Sequence, residues 1–266
     1  MSPTTGPRPP DPLLAATGIV VRYGAVTAVA GAHLEVGRGE IVSLIGPNGA
    51  GKTSLFNVLA GVLRPAEGSV SFDGRPIDRL APHARARRGI GRTFQGGRLF
   101  GRLTLAENLE LAHYQSGHSR VLSAMLGGPT ARLDRRRDRR LAGRVLSALD
   151  LDEYGDTPCA ALPCGVQRLA EVARALCVEP RILLLDEPSA GLDPRESAHL
   201  GAIVQRIRDV LGISVVLIEH DMTFVMNISD YVYVLDFGTP LAEGTTDEIR
   251  NDETVIAAYL GEQIVA

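Results

Sequence analysis

The chain has little of several things that would narrow its role. Its three cysteines, Cys159, Cys164 and Cys177, are too few for a disulfide framework and lack metal-ligand spacing, so a reducing compartment, the cytoplasm, is expected. Neither charge sign dominates: a net charge of -3 and a pI of about 6.1 supply no global attraction to nucleic acid or to an anionic membrane. Any membrane partner must then be a protein. No uninterrupted apolar run reaches the ~18–20 residues that span a bilayer, and no long heptad run is present. Tryptophan is absent and the other aromatics are sparse. Met1 to Pro12 holds five prolines but no basic segment leading into an apolar one, so a disordered tail is expected there and not a signal peptide.

What is present starts with Gly46-Pro47-Asn48-Gly49-Ala50-Gly51-Lys52-Thr53, which fits G-x-x-x-x-G-K-[ST], the phosphate-binding loop. Glu40 to Ile45 before it reads as a buried strand, and Thr53 to Leu59 after it as an amphipathic helix. The glycines allow a nest of backbone N–H donors, and the helix beginning near Gly51 aims its positive end at the same place. An anion belongs there. Lys52 would reach the β- and γ-phosphates, Thr53 would offer its hydroxyl to Mg²⁺, and Ser54 could add a contact to the α-phosphate.

At 266 residues the chain suits one domain with an inserted lobe. Leu13 to Val36 is strand-like, with Ala30, Ala32, Leu34 and Val36 alternating against Gly31, His33 and Glu35. Tyr23, just ahead of the loop, could stack on a base or stand as an edge-strand tyrosine. Pro65 and Gly68 mark a turn before a strand at Ser69 to Phe72, and Leu99 to Leu149 is helical in pattern. Inside that lobe, Asp134-Arg135-Arg136-Arg137-Asp138-Arg139-Arg140 lacks interleaved aromatics and reads as a solvated helix face, not a nucleic-acid patch.

Two more strands deliver chemistry. Ile182 to Leu185 is a buried run ending in Asp186-Glu187, at the end of a strand where an open α/β sheet places its ligand. Asp186 would hold Mg²⁺, directly or through water, while Glu187, directed the other way by strand alternation, would polarise an attacking water. Ile213 to Ile218 ends in Glu219-His220-Asp221, which brings His220 to the same sheet edge, within reach of a γ-phosphate.

Together these pieces resemble the ATP-binding cassette (ABC) ATPases over nearly all of Leu13 to Leu260. The family's pattern stands in order: an adenine-stacking aromatic at Tyr23, the Walker A loop, Gln95 of the Q-loop, a signature at Leu162 to Arg168, Walker B ending at Asp186-Glu187, the D-loop Ala190-Gly191-Leu192-Asp193, and His220 of the H-loop. The resemblance implies an α/β fold: a P-loop NTPase (RecA-like) core, an antiparallel β subdomain, and an α-helical subdomain inserted at about residues 97–165 of a cassette running from 13 to 266. It implies ATP and Mg²⁺, with Thr53, Gln95 and Asp186 toward the metal and Glu187, His220 and Gln95 in catalysis. Within the family, Ile90 to Gln95, Arg98-Leu99-Phe100, Glu219 to Met222 and Ala258-Tyr259-Leu260-Gly261 are similar to the LivG-type ATPases of branched-chain amino-acid importers.

One motif departs from the pattern. The usual L-S-G-G-Q signature reads Leu162-Pro163-Cys164-Gly165-Val166 here, followed by Gln167. In the family that serine donates to the γ-phosphate held by the opposite subunit, and Pro163 cannot. A proline suits a helix's first turn, so the Gly165 N–H could still face the phosphate. The resemblance further implies two half-sites per ATP, with the signature and Asp193 acting in trans. It implies integral membrane permeases and a second ATPase, non-identical or a second copy, with a solute-binding protein reached indirectly. That would place the chain on the cytoplasmic face of the membrane. Urea or amide importers and the lipopolysaccharide-export ATPase stay open as alternatives. So do, from other classes, a mechanical ABC protein acting on ribosomes or DNA, and a nucleotide sensor without turnover.

Overall fold

A computed structural model of the protein describes residues 10–93, 99–115 and 129–265. Two sheets organise it. The first is antiparallel, order β2-β1-β4-β5, from β1 (Leu14–Tyr23), β2 (Val26–Val36), β4 (Glu67–Phe72) and β5 (Arg75–Pro76). The second runs β10-β9-β3-β8-β7-β6, from β3 (Ile41–Ile45), β6 (Ile90–Arg92), β7 (Ile182–Asp186), β8 (Ser214–Ile218), β9 (Tyr231–Asp236) and β10 (Thr239–Gly244). Its strands are parallel except β10, which pairs antiparallel with β9.

The parallel strands read as unbroken apolar runs because both of their faces are covered. Alternate residues then go to opposite cores. Ile41, Ile45, Leu183, Leu185, Val215 and Leu217 pack toward the helical side. Val42, Leu44, Ile182, Leu184, Val216 and Ile218 pack toward the antiparallel sheet and the helix α1 (Lys52–Leu59). The period of two thus builds one sheet with two hydrophobic faces.

The helical side comprises α3 (Leu105–Gln115), α4 (Pro129–Ala148), α5 (Cys164–Leu176) and α6 (Pro194–Leu211), with α2 (Pro82–Ala86), α7 (Met222–Ile228), α8 (Thr246–Arg250) and α9 (Glu253–Val265) around the core. The stretch carrying α3 and α4 has its two ends joined where Thr104 bridges Pro158 and the Cys159 N–H donates to Leu103 O. On α4, Arg136, Arg137, Arg139 and Arg140 are exposed, as a solvated face requires. Asp138 of the same run is buried and bonded to His113 of α3, a histidine that sequence reasoning left without a role.

Two local expectations change. Ala30 does not alternate with its neighbours into the core: it is exposed and Val29 is buried in its place. Gly31, at φ +80, sits in a bulge that shifts the register between Ile19 and Val20 of the partner strand. Gly68 lies not in a turn but within β4, at φ +89, where a Cβ would stand 2.4 Å from Gly18 O. That closeness, and not a chain reversal, is what requires glycine there.

Candidate nucleotide site

The phosphate-binding loop follows β3 and is held from behind by two other backbones. A Cβ on Gly46 (φ +146) would stand 2.0 Å from Leu235 O, and one on Gly51 (φ +93) 2.3 Å from Ala28 O. The Gly238 N–H donates to Ala50 O, while Gly238 O accepts from Ala30. Gly49, at φ +79, has nothing within 4 Å of the same position and so faces open space. Pro47, Asn48 and Ala50 complete the turn, where the Ala50 N–H donates to Pro47 O. Gly51 is the N-cap of α1, left-handed and without a side-chain cap, so the first-turn N–H groups point into the loop's concavity.

Lys52 is buried and its ammonium donates to Gly46 O at 2.5 Å and Pro47 O at 2.8 Å, which holds a positive charge at the loop's mouth. Thr53 is exposed on the adjacent turn. Tyr23, at the end of β1, has its hydroxyl 3.5 Å from Ser54 Oγ, and 52% of the residue is open to solvent. An aromatic ring thus stands beside the loop, as a base-stacking residue would.

The carboxylates arrive from β7. Asp186 ends the strand, and burial pushes its carboxyl above the usual carboxylate range; the Arg92 guanidinium acts against that rise and the Glu187 charge adds to it. Glu187 is directed by something other than strand alternation. The strand ends at Asp186, and Glu187 takes a left-handed φ of +48 while its N–H donates to Ile218 O of β8. The turn aims its side chain.

His220 follows β8, which lies between β3 and β7, so the loop, the carboxylates and the histidine stand at the ends of three adjacent parallel strands. Two helpers had not been singled out for their own roles. Glu219, fully buried, accepts from the Ser189 N–H at 2.7 Å and from the His220 N–H at 3.2 Å, tying the segment after Asp186-Glu187 to the histidine. Thr93 accepts from the Asp186 N–H at 3.2 Å. An acid next to the site histidine and a threonine next to the glutamine motif were the available signals. Gln95 lies outside the described residues.

The signature segment opens α5, with a correction. Pro163 is not in the helix's first turn but at the N-cap, with φ -56 and ψ 154, a conformation native to proline. No side chain caps this helix. Cys164 is exposed, and Val166 and Gln167 follow on the first turns, with the Gln167 side chain donating to Leu162 O at 2.8 Å. Gly165 packs where a Cβ would meet Glu196 Oε1 at 2.6 Å. Glu196 in turn forms a capping box with Asp193, whose Oδ1 accepts from the Arg195 and Glu196 N–H groups at 2.7 and 2.8 Å. Arg168 donates to Ala190 O at 3.3 Å. The signature and the D-loop are therefore locked together within one chain.

A cleft of about 380 Å³ lies away from the glycine loop, where α2 and the end of α1 face α3 and α5; Val62, Ala86, Arg92, Leu99, Glu171 and Arg174 are among its walls. Burial raises the Glu171 carboxyl against the neighbouring Arg168.

The donor set suits Mg²⁺ bound with a nucleotide. Among the described residues no cluster of three or more His, Cys, Asp or Glu could cage a metal. A hydroxyl at Thr53 and a carboxylate at Asp186 are the hard oxygens that Mg²⁺ takes when phosphates and water complete its shell. No helix among the described residues is long and apolar enough to cross a membrane.

Comparison with known proteins agrees with this geometry. A family model described as "ABC transporter" matches residues 29–190, and one described as "Branched-chain amino acid ATP-binding cassette transporter" matches residues 239–264. The chain is 42% identical over 251 residues to the high-affinity branched-chain amino acid transport ATP-binding protein BraF of Pseudomonas aeruginosa, covering 94% of this chain and 98% of that one. It is 43% identical over 252 residues to LivG of Salmonella typhimurium, covering 95% and 99%. The lipopolysaccharide export ATP-binding protein LptB of Haemophilus influenzae is 34% identical over 257 residues, covering 94% and 98%. Among solved structures, the ADP conformation of MJ1267, an ATP-binding cassette of an ABC transporter, superposes with a TM-score of 0.82 at 30% identity, covering 94% of this chain and 99% of that one. A glycine loop, a carboxylate pair and a histidine on three neighbouring strands, matched along the full length of known cassettes, place this chain in the ABC transporter family, as one of its ATP-binding ATPase cassettes.

Proposed function

We propose that the chain is the ATP-hydrolysing subunit of an importer for branched-chain amino acids, joined at the cytoplasmic membrane face to permeases that carry the solute. The observation that carries the nucleotide chemistry is the convergence of the loop, Asp186-Glu187 and His220 on adjacent strand ends. The solute class is supported by the matched segment 239–264 and by the full-length similarity to BraF and LivG.

In this reading the N–H groups of Gly49 to Thr53 cradle the β- and γ-phosphates and Lys52 turns its ammonium to them. Tyr23 stacks on the adenine. Thr53, Asp186 and Gln95 would hold Mg²⁺, which when bound would neutralise negative charge on the phosphates. Glu187 accepts a proton from the attacking water, and His220, steadied through Glu219, contacts the γ-phosphate. Phosphoryl transfer to water is mainly positioning and charge stabilisation, so a second ATPase, identical or not, completes the site with Pro163 to Gln167 and Asp193 of its own signature and D-loop. The α5 N-terminus offers N–H groups and a dipole there in place of a serine hydroxyl. A cytoplasmic segment of the permease docks in the cleft beside Arg92 and Leu99. No nucleic acid takes part, and the solute-binding protein acts only through the permease.

The test is reconstitution with the permeases in vesicles. ATP-dependent leucine uptake that is lost in Lys52→Ala supports the reading. ATP turnover stimulated by lipopolysaccharide or by an amide solute, with leucine untransported, overturns it.

A further inference from the structure

Arg92 touches three parts of the molecule at once. It ends β6, opposite Leu184 of β7, and its Nη2 lies 3.3 Å from Asp186 Oδ2. Its guanidinium carbon sits 5.0 Å from the centroid of the Phe56 ring, on the helix that the phosphate loop begins. It also lines the cleft. The pair is enclosed: the arginine side chain is 15% exposed and the aspartate side chain 3%. Thr93, the next residue, holds the backbone N–H of the same aspartate.

An anion this enclosed is costly unless a cation stands beside it. Arg92 supplies one from within the chain. A metal ion arriving with nucleotide would bring another to the same carboxylate. Two cations on one carboxylate repel each other and divide its lone pairs, and in a partly buried site one unit charge at this range alters a second cation's affinity by about tenfold or more. Both cannot bind it at full strength.

We propose that Arg92 is a positioning residue that competes with Mg²⁺ for the Asp186 carboxylate. It keeps the aspartate paired when the metal has left with product, and it sets the Mg²⁺ concentration at which nucleotide is held productively. The proposal rests on the reading of Asp186 as a metal-holding residue, and the experiment separates the two.

In full-length protein carrying Glu187→Gln to stop turnover, Mg²⁺ is titrated against binding of a fluorescent ATP analogue. Arg92→Met, which keeps an apolar stem against Phe56, is expected to lower the half-saturating Mg²⁺ about tenfold, and Arg92→Lys by less. The metal-free melting temperature of Arg92→Met falls and is recovered by Mg²⁺ with nucleotide. Asp186→Asn raises the Mg²⁺ requirement and removes the effect of Arg92→Met. An unchanged Mg²⁺ requirement in Asp186→Asn sinks the metal reading itself. A raised requirement there, with Arg92→Met unchanged or needing more Mg²⁺, overturns the competition alone. Should Arg92→Met not fold, Arg92→Lys and Arg92→Gln decide the matter in the same titration.

Discussion

Arg85 offers the sharpest stability test in the molecule. Its side chain is fully buried on α2, and it donates to four carbonyls: Val58 O and Leu59 O at 2.7 Å, Ile77 O at 2.9 Å and Leu80 O at 3.2 Å. Val58 and Leu59 end the helix whose beginning forms the phosphate loop, so the guanidinium neutralises the negative end of that helix. Gly61 makes the room, since a Cβ there would lie 2.6 Å from Arg85 Nε. Hydrogen bonds that involve a charged group contribute about 1.5–3 kcal/mol each, net of the water they replace. Burial lowers the guanidinium's pKa from 12.5 to about 10, partly offset by Asp78, which still leaves it charged near neutrality.

Arg85→Met removes all four bonds, leaving Val58 O and Ile77 O with the Gly61 and Leu80 N–H groups but taking the side-chain donor from Leu59 O and Leu80 O, and is expected to destabilise by about 3–5 kcal/mol. For a chain of this size that is a melting-point loss of about 10 °C. Lysine, lacking the fork, should recover less than half of it. Calorimetric melting and urea midpoints measure the loss, and ATP affinity should fall with it because the loop loses its anchor. A drop of less than about 2 °C would refute the argument that these four bonds outweigh the burial of the charge.

Other outcomes follow from the same geometry. His33 of β2 lies 2.6 Å from Glu243 of β10, joining the antiparallel sheet to the core; hydrogen bonding to Glu243 raises its pKa above 6.5, against a smaller lowering by burial and with Glu35 adding a little. A raised folded pKa means that the contribution is whole below pH 6.5 and is lost as pH climbs through the folded value; His33→Gln should flatten that part of a melting-temperature profile, and an unaltered profile counts against the link. Gly46→Ala must push a methyl into Leu235 O and should abolish nucleotide binding, whereas Gly49→Ala meets only backbone strain of about 1–2 kcal/mol; equal losses in a binding titration would contradict this. Thiol labelling of native protein should modify Cys164 quickly, while the Cys177 thiol, pushed up to about 12 by burial, and buried Cys159 react only on unfolding. ATP should slow Cys164 in Glu187→Gln protein if α5 faces a second subunit. Pro163→Ser installs a missing N-cap and should add about 1 kcal/mol of stability and tighten ATP-dependent pairing, as melting and sedimentation would register.

The strongest elements were legible because their cause is local. A strand buried on both faces must be apolar throughout, so Ile41–Ile45, Ile182–Asp186 and Ser214–Ile218 could be read directly, with the loop chemistry between them. Errors came where a glycine or a left-handed residue interrupts regular geometry. Alternation carried Ala30 inward until Gly31 bulged, and it aimed Glu187 until the chain turned at φ +48. Composition marked Asp134 to Arg140 as surface and could not reveal that Asp138 turns inward to His113.

By itself, then, the amino-acid order determined which residues bear the chemistry and which runs become strands, because phosphate binding and two-sided burial each demand particular residue types at short spacing. Only tertiary structure decided who stands beside whom. Arg92 against Asp186, Glu219 between Ser189 and His220, and Arg85 under the end of α1 join residues that are distant or unremarked in the chain. The physical reason is that a charge inside a protein must find its partner through the fold, across strands and helices, and sequence spacing carries no record of that distance.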